Sequence, residues 1–245
     1  SEIKVNSYRE HLDVIISEKC KIMSFTFGNL DKPSIEKLKT HDIILIGTCT
    51  SVEEAIILEQ SGIDMVCVQG IEAGGHRGSF DTENIPKIGG LSLLSQVRDS
   101  IKIPVIYAGG LYNSRTLLAA KMLGSQGFQI GSLLLGSKES ALKNFEKQRL
   151  QNINEKDIIL TKSFTGRYAR GLKNVLSAEI EKNGLLLPYP YQNKLTAELR
   201  KVAKATNNPD FVSIWTGQSI NEYSNKSTEE LLKNLITDTE RDSSL

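Results

Sequence analysis

The chain has 245 residues, room for one large or two modest domains. A hydrophobic content of 39%, a charged content of 24% and a net charge of +1 fit an ordinary globular protein and supply no field that would draw nucleic acid or an anionic membrane. No apolar run approaches the ~18–20 residues that span a bilayer, so neither nucleic acid nor membrane is expected as a partner.

The N-terminal residues Ser1–Val5 are polar and charged, unlike a signal peptide. A helix is expected over Tyr8–Glu18 and a strand over Lys21–Phe25. Next come a helix over Lys32–Thr40 with Pro33 in its first turn and a strand over Ile43–Gly47. The helix Ser51–Ser61 opens on a capping box of Ser51 and Glu54. Strand Met65–Gln69 leads to a longer gap, then to a helix over Leu91–Ser100 and a strand over Pro104–Ala108. Asn113–Leu123 reads as a helix with Asn113 as N-cap and Gly124 just past its end, and Gly127–Gly131 as a fifth strand. These strands are short and rich in Val and Ile, as for parallel strands covered on both faces. Cys20, Cys49 and Cys67 lie in or beside them. They read as small buried hydrophobes of a reducing, cytoplasmic setting rather than a disulfide framework. No Cys/His spacing suggests a metal.

After Ser132 the pattern changes. A charged helix is expected over Lys138–Leu150, a strand over Asp157–Lys162, a Pro/Tyr-rich turn at Pro188–Tyr191 and a helix over Lys194–Ala205. The polar tail Thr237–Leu245 is expected to fray. Strands recurring every twenty-odd residues imply βα units with right-handed crossovers, in a (β/α)8 barrel or a doubly wound sheet. The barrel is favoured because glycine clusters at 70–78, 109–110 and 131 all fall at C-terminal strand ends, where such barrels place their chemistry. Only five strands can be counted where a barrel needs eight. The expected fold is therefore α/β, an incomplete (β/α)8 TIM barrel (the last five strands) with a C-terminal α+β lobe. Residues 1–137 would form the barrel part, 138–225 a substrate-side lobe, and 226–245 a terminal helix and polar tail. The absent strands would make a barrel segment supplied by another chain, or a homo-oligomer, the expected partner.

The segment from Gln69 to Gly78 carries four glycines and His76 directly after a buried strand. Imidazole titrates nearest neutral pH, so a histidine at a glycine-rich strand end suits proton transfer. The turns Gly109–Gly110 and Gly131–Ser132 expose backbone N–H groups that could cradle a phosphate. They are not the dinucleotide fingerprint of a Rossmann domain. Gln69 and Gln129 could hydrogen-bond the edge of a flat heterocycle, and equally they could be satisfied barrel-end amides. Glu72 reads better as an orienting or turn-capping group than as a base. His11 and His41 read as solvated. Trp215, Tyr189 and Tyr191 read as packing residues, with the Pro188–Tyr191 turn able to line a pocket.

The run from Val68 to Phe80 (VQGIEAGGHRGSF), Ile103–Gly110 (IPVIYAGG) and Gly127–Ser132 (GFQIGS) resembles the nitronate monooxygenase family. The likeness continues through Gly166–Asn174, Pro188–Thr196 and Trp215–Ser219, and so covers residues 20 to 220. The resemblance implies an FMN-containing barrel that oxidises alkyl nitronates, such as propionate 3-nitronate, with molecular oxygen. It makes His76 the catalytic base or substrate-orienting group. It puts Gln69, Gly74, Gly110, Gln129, Gly131 and Ser132 around FMN, beside the Gly109 of the expected phosphate turn, and Tyr189 and Tyr191 beside the nitro substrate. Tyr107 stands where such proteins carry an alanine-rich strand, and Ser132 where they carry Thr. Flavin-dependent enoyl-acyl-carrier-protein reductases share a similar histidine loop but fit the Gly166–Asn174 and Pro188–Thr196 motifs less well. An inactive or partner-dependent barrel fragment is the other alternative.

Overall fold

Five of the Val- and Ile-rich runs form strands, and all five are parallel. The computed structural model describes residues 7–219 and 223–243. The strands are β1 (Ile22–Phe25), β2 (Ile44–Cys49), β3 (Met65–Gln69), β5 (Val105–Ala108) and β6 (Gly127–Gln129), in the order β1-β2-β3-β5-β6. Helices α1 (Arg9–Ser17), α2 (Lys32–Lys39), α3 (Val52–Gln60), α4 (Gly90–Ser100) and α5 (Ser114–Met122) fall within a residue or two of the expected spans. Asp31, Ser51 and Asn113 each accept an N–H bond from three residues on. Gly124 follows α5 at φ +94°, a conformation that favours glycine.

By its internal contacts the chain divides into two units. The first comprises residues 1–71, 78–108 and 120–129 and holds this parallel sheet. One face of the sheet is dry. Leu45, Val66, Val68 and Val105 are fully buried on it, against Ala55 and Leu58 of α3 and Leu93, Leu94 and Val97 of α4. Of the side chains that alternate with them, Cys67 and Ala108 are buried, and Ile46, Thr48, Met65, Gln69 and Ile106 keep partial exposure. The expectation of strands covered on both faces therefore holds fully for the face on which the helices of this unit pack and in part for the other. Cys49 and Cys67 are buried, and burial pushes both thiols up, that of Cys67 to about 12. Cys20 is exposed, contrary to expectation, because it lies in the turn that leads into the edge strand β1.

The second unit comprises residues 72–77, 109–119 and 130–245. Its sheet is antiparallel, with β4 (Gly75–His76), β8 (Ala169–Leu172) and β7 (Ile158–Thr161) in that order. Around it stand α6 (Asn144–Gln151), α7 (Val175–Lys182), α8 (Tyr191–Ala205) and α9 (Thr228–Asp242). Leu150, Ile158, Leu172, Ala203, Val212 and Ile214 form one core and Phe164, Leu176 and Ile180 another. Two expectations fail here. The helix expected from Lys138 begins only at Asn144, because the buried Glu146 carboxylate accepts the Lys143 N–H at 2.8 Å and caps it there. The tail expected to fray from Thr237 is helical to Asp242, held by buried Leu231 and Leu235 and by a 2.6 Å bond from the Ser114 hydroxyl to Asp242. Residues 244 and 245 lie outside the described residues.

The capping box of α3 is also rearranged. The Ser51 hydroxyl accepts from the Glu54 N–H at 3.1 Å, but the Glu54 carboxylate does not return to Ser51. It accepts from the Thr50 N–H (2.5 Å), the Thr50 hydroxyl (2.9 Å) and the Phe80 N–H (2.8 Å), which ties the end of β2 to the loop after β3. Glu54 is buried. Glu54→Ala would strand these donors without water, at a cost of ~1–3 kcal/mol. Urea unfolding should show a lowered midpoint with an unchanged slope; an unchanged midpoint would mean that the carboxylate contributes nothing to the fold.

Candidate active site

His76 is fixed by its backbone before its ring meets anything. It pairs with Ala169 across β4 and β8, and the next residue, Arg77, donates its N–H to the Tyr168 carbonyl at 2.8 Å. The ring Nε2 lies 2.8 Å from the Thr165 hydroxyl. The Trp215 ring stands 5.3 Å away, tilted by 54°, and itself meets Phe164 edge-on at 5.4 Å. Burial holds the His76 pKa below its ordinary value, and the positive charges of Arg167 and Arg200 lower it further. A neutral imidazole with an available lone pair is the form a general base requires.

Thr165 is held in turn. Gly166 follows it at φ +85°, and a Cβ there would stand 2.5 Å from the Tyr189 nitrogen and 2.6 Å from the Leu187 carbonyl. Gln192 donates to the Ser163 carbonyl and Thr196 to the Phe164 carbonyl, each at 2.6 Å. Arg200, one turn further along α8, donates to the Thr196 hydroxyl at 3.2 Å and to the Asn193 amide oxygen at 2.7 Å. Arg167 stacks over Tyr189, 5.3 Å from the ring centre. Thr165, Gln192, Thr196, Arg167 and Arg200 were not singled out by sequence reasoning. The signals available were the Gly166–Asn174 motif, which contains Arg167, and the Pro188–Thr196 motif, which contains Gln192 and Thr196.

Residues 214–219 gather the glycine turns of the second unit. The Gly171–Trp215 bridge lays this run along β8. A Cβ on Gly74 would fall 2.4 Å from the Gly217 nitrogen. Gly217 donates to the Ser132 hydroxyl at 2.7 Å, Gln218 to the Glu72 carbonyl at 3.0 Å, and the Ser219 hydroxyl to the Gly110 carbonyl at 3.3 Å. His76, Gly74, Gly110 and Ser132 thus converge on one short run of chain. Gly109 and Gly110 take φ +124° and +68°. Among the described residues no protein group accepts from the N–H of Gly110, Gly131 or Ser132, and a Cβ on Gly131 would meet open space. Those are features a phosphate cradle needs. Glu72 lies against the same glycines, its Cγ 3.4 Å and its Oε1 3.7 Å from a Cβ built on Gly110. Its charge is offset by Arg170, whose guanidinium interacts with it electrostatically.

In the first unit Gln69, Ala108 and Gln129 stand in register across β3, β5 and β6. The two amides therefore flank one position at the C-terminal end of the sheet. The Gln69 oxygen accepts from the Gly78 N–H at 2.9 Å and the Gln129 oxygen from the Cys67 thiol at 3.4 Å. Tyr191 opens α8 and is exposed. Among the described residues there is no cluster of side chains that could hold a metal ion, and no helix is long and apolar enough to cross a membrane.

A family model for nitronate monooxygenase matches residues 2–238. The chain belongs to the nitronate monooxygenase family. It is 40% identical to a probable nitronate monooxygenase of Staphylococcus haemolyticus over 233 residues, which are 94% of this chain and 65% of that protein. The chain thus spans about two thirds of the length of such relatives. Nitroalkane oxidase from Streptomyces ansochromogenes superposes with a TM-score of 0.89 at 31% identity, over 97% of this chain and 69% of that one. FabK from Thermotoga maritima superposes at 0.79 with 25% identity, over 99% and 76%. The βα repeats and the five-stranded parallel sheet match the TIM-barrel-like fold of the family.

The geometry fixes a sign for the titration of His76. Followed by NMR, its ring should titrate below the ordinary ~6.5, and Arg200→Met, which removes a nearby cation, should raise that value. Because the folded value is depressed, the group's contribution to stability is complete above the unfolded value and is lost as pH falls through the folded one. A ring titrating at or above ~6.5 would show that neither burial nor the two guanidiniums act on it.

Proposed function

We propose that this chain carries the proton-transfer and substrate-holding half of an FMN-dependent oxidase of alkyl nitronates such as propionate 3-nitronate, with molecular oxygen as the oxidant. One observation carries the reading. His76 is kept neutral in a half-buried site, with Thr165 on one ring nitrogen and two guanidiniums nearby. A neutral nitroalkane has an acidic α-carbon. A base of this strength can take that proton at neutral pH and leave the nitronate anion in a cationic setting. A nitronate supplied directly needs only to be oriented. Arg167 and Arg200 provide the charge, and Tyr189, stacked under Arg167, provides a wall. Bound FMN would supply the electron transfer from substrate to oxygen, yielding a carbonyl compound and nitrogen at the level of nitrite.

The chain's residues fit that group. The N–H groups of Gly109, Gly110, Gly131 and Ser132 would hold its phosphate, Gly74 would allow close approach, and Gln69 and Gln129 would lie around its ring. We read the five parallel strands as part of an eight-stranded barrel and the antiparallel sheet as its substrate-side lobe. The superposition on nitroalkane oxidase, a longer chain, supports that reading.

The test is reconstitution with FMN and comparison with His76→Asn. The variant should bind FMN to the same extent, read by visible absorption. It should lose on the order of 10²–10⁴-fold in turnover of a neutral nitroalkane and lose much less on a preformed nitronate. Equal turnover of both substrates by the variant would make His76 structural. Bleaching of the flavin by NADPH without oxygen would favour an enoyl reductase instead.

A further inference from the structure

Arg200 is a half-buried guanidinium held only by neutral groups. Its Nε donates to the Thr196 hydroxyl at 3.2 Å, and its Nη2 to the backbone and side-chain oxygens of Asn193 at 3.2 and 2.7 Å. These bonds fix the plane of the group and leave its charge uncompensated. Among the described residues no carboxylate pairs with it, and Nη1 has no protein acceptor. The carboxylates of α7 and α8 on either side are engaged elsewhere. Glu181 accepts from the Ser163 hydroxyl at 3.3 Å, and Glu198 pairs with Lys201 at 3.8 Å. Arg170, by contrast, has its charge offset by Glu72. A cation drawn out of water without a counter-charge is costly, and an anion that binds beside it removes that cost.

Arg200 belongs to the His76 site. The Thr196 hydroxyl that accepts from it donates to the Phe164 carbonyl at 2.6 Å, and the next residue, Thr165, meets the His76 ring at 2.8 Å. The charges of Arg167 and Arg200 both act on that ring, as charges do over a few ångströms. A nitronate carries one negative charge, so it balances one guanidinium and leaves the other uncovered. We infer that Arg200 is a specificity-determining residue that receives a second anionic group, a carboxylate on a short chain, and that the preferred substrates are nitro acids whose nitronates are dianions. The inference rests on the reading of His76 as the base of a nitronate oxidase and adds the choice among substrates. Propionate 3-nitronate has the required form, and propyl 1-nitronate, with an uncharged tail, does not. The donors of a guanidinium lie in one plane and match a planar carboxylate.

Binding tests this without relying on turnover. The two nitronates are titrated into the whole chain, with and without FMN, and the His76 ring signals are followed by NMR. The dianion should bind about 10–100-fold more tightly than the monoanion, and raised salt should narrow the gap. Arg200→Met should cost the dianion about 10–100-fold more than it costs the monoanion. Arg200→Lys keeps the charge without the planar fork and should fall between parent and Arg200→Met. Circular dichroism checks that both variants fold. Equal binding of the two ligands by the parent chain would overturn the inference whatever the variants do. So would binding of neither ligand, or a preference that survives Arg200→Met. Turnover separates this outcome from the reading beneath it. A reconstituted chain that oxidises both nitronates with equal kcat/KM would keep the oxidase and remove Arg200 as the selector. An Arg200-dependent preference in binding, with neither nitronate oxidised, would keep the selector and remove the oxidase.

Discussion

Two hydrogen bonds from α8, Gln192 to the Ser163 carbonyl and Thr196 to the Phe164 carbonyl, set the geometry on which the second unit depends. Both donors and both acceptors are out of water, so leaving either bond unmade would cost the full desolvation penalty of the stranded groups. The bonds fix the turn at 163–166. The turn presents the Thr165 hydroxyl to the His76 ring and forces the close passage of Gly166 past residues 187–189. The inner face of α8 is thereby committed to polar contacts. Its large apolar residues Tyr191, Leu195, Leu199 and Val202 are left exposed, while Ala203 is the apolar residue it buries.

The run 214–219 has a comparable role on the other side of His76. It follows β8 as far as Trp215, covers the imidazole with the indole ring, and then passes Gly74, Ser132, Glu72 and Gly110 in turn. A Cβ at Gly74 would strike its backbone rather than a flexible side chain, so that glycine is required for packing as well as for any ligand. One segment thus couples the histidine loop to the turns at 109–110 and 131–132. Displacing it would disturb all three together.

The βα repeat was legible because it rests on local signals: apolar runs of strand length, and caps such as Ser51, Asn113 and Gly124 that follow from backbone chemistry. The site was legible as a histidine among glycines. The antiparallel sheet was not. Its β4 is two residues long, and in β8 an arginine and a glycine, Arg170 and Gly171, stand between Ala169 and Leu172, with no alternation to read. All four residues of β8 are nonetheless buried, because charge is compensated there by Glu72 and space is taken by residues 214–215. Thr165, Gln192 and Thr196 escaped for a related reason. Their roles are bonds across 29 to 89 positions of chain, and no periodicity carries that information. The start of α6 was misplaced because a charged amphipathic pattern does not reveal that Glu146 is buried and turned back on Lys143.

The electrostatics of the histidine and the chemistry proposed for it constrain each other. Arg167 and Arg200 disfavour the imidazolium, which keeps His76 ready to accept a proton but would oppose the charge it gains in doing so. An anionic product removes that opposition: a nitronate formed beside the ring is stabilised by the same two cations, and its negative charge favours the protonated imidazole. The arrangement is therefore better matched to a reaction that creates an anion as it moves the proton than to one that returns a neutral product. Thr165 adds a directional constraint, since its hydroxyl meets Nε2 and so holds one ring nitrogen of the base in place. With the turn that holds Thr165 hung from the inner face of α8, the orientation of the base and the outward display of the helix's large apolar residues follow from the same placement of that helix.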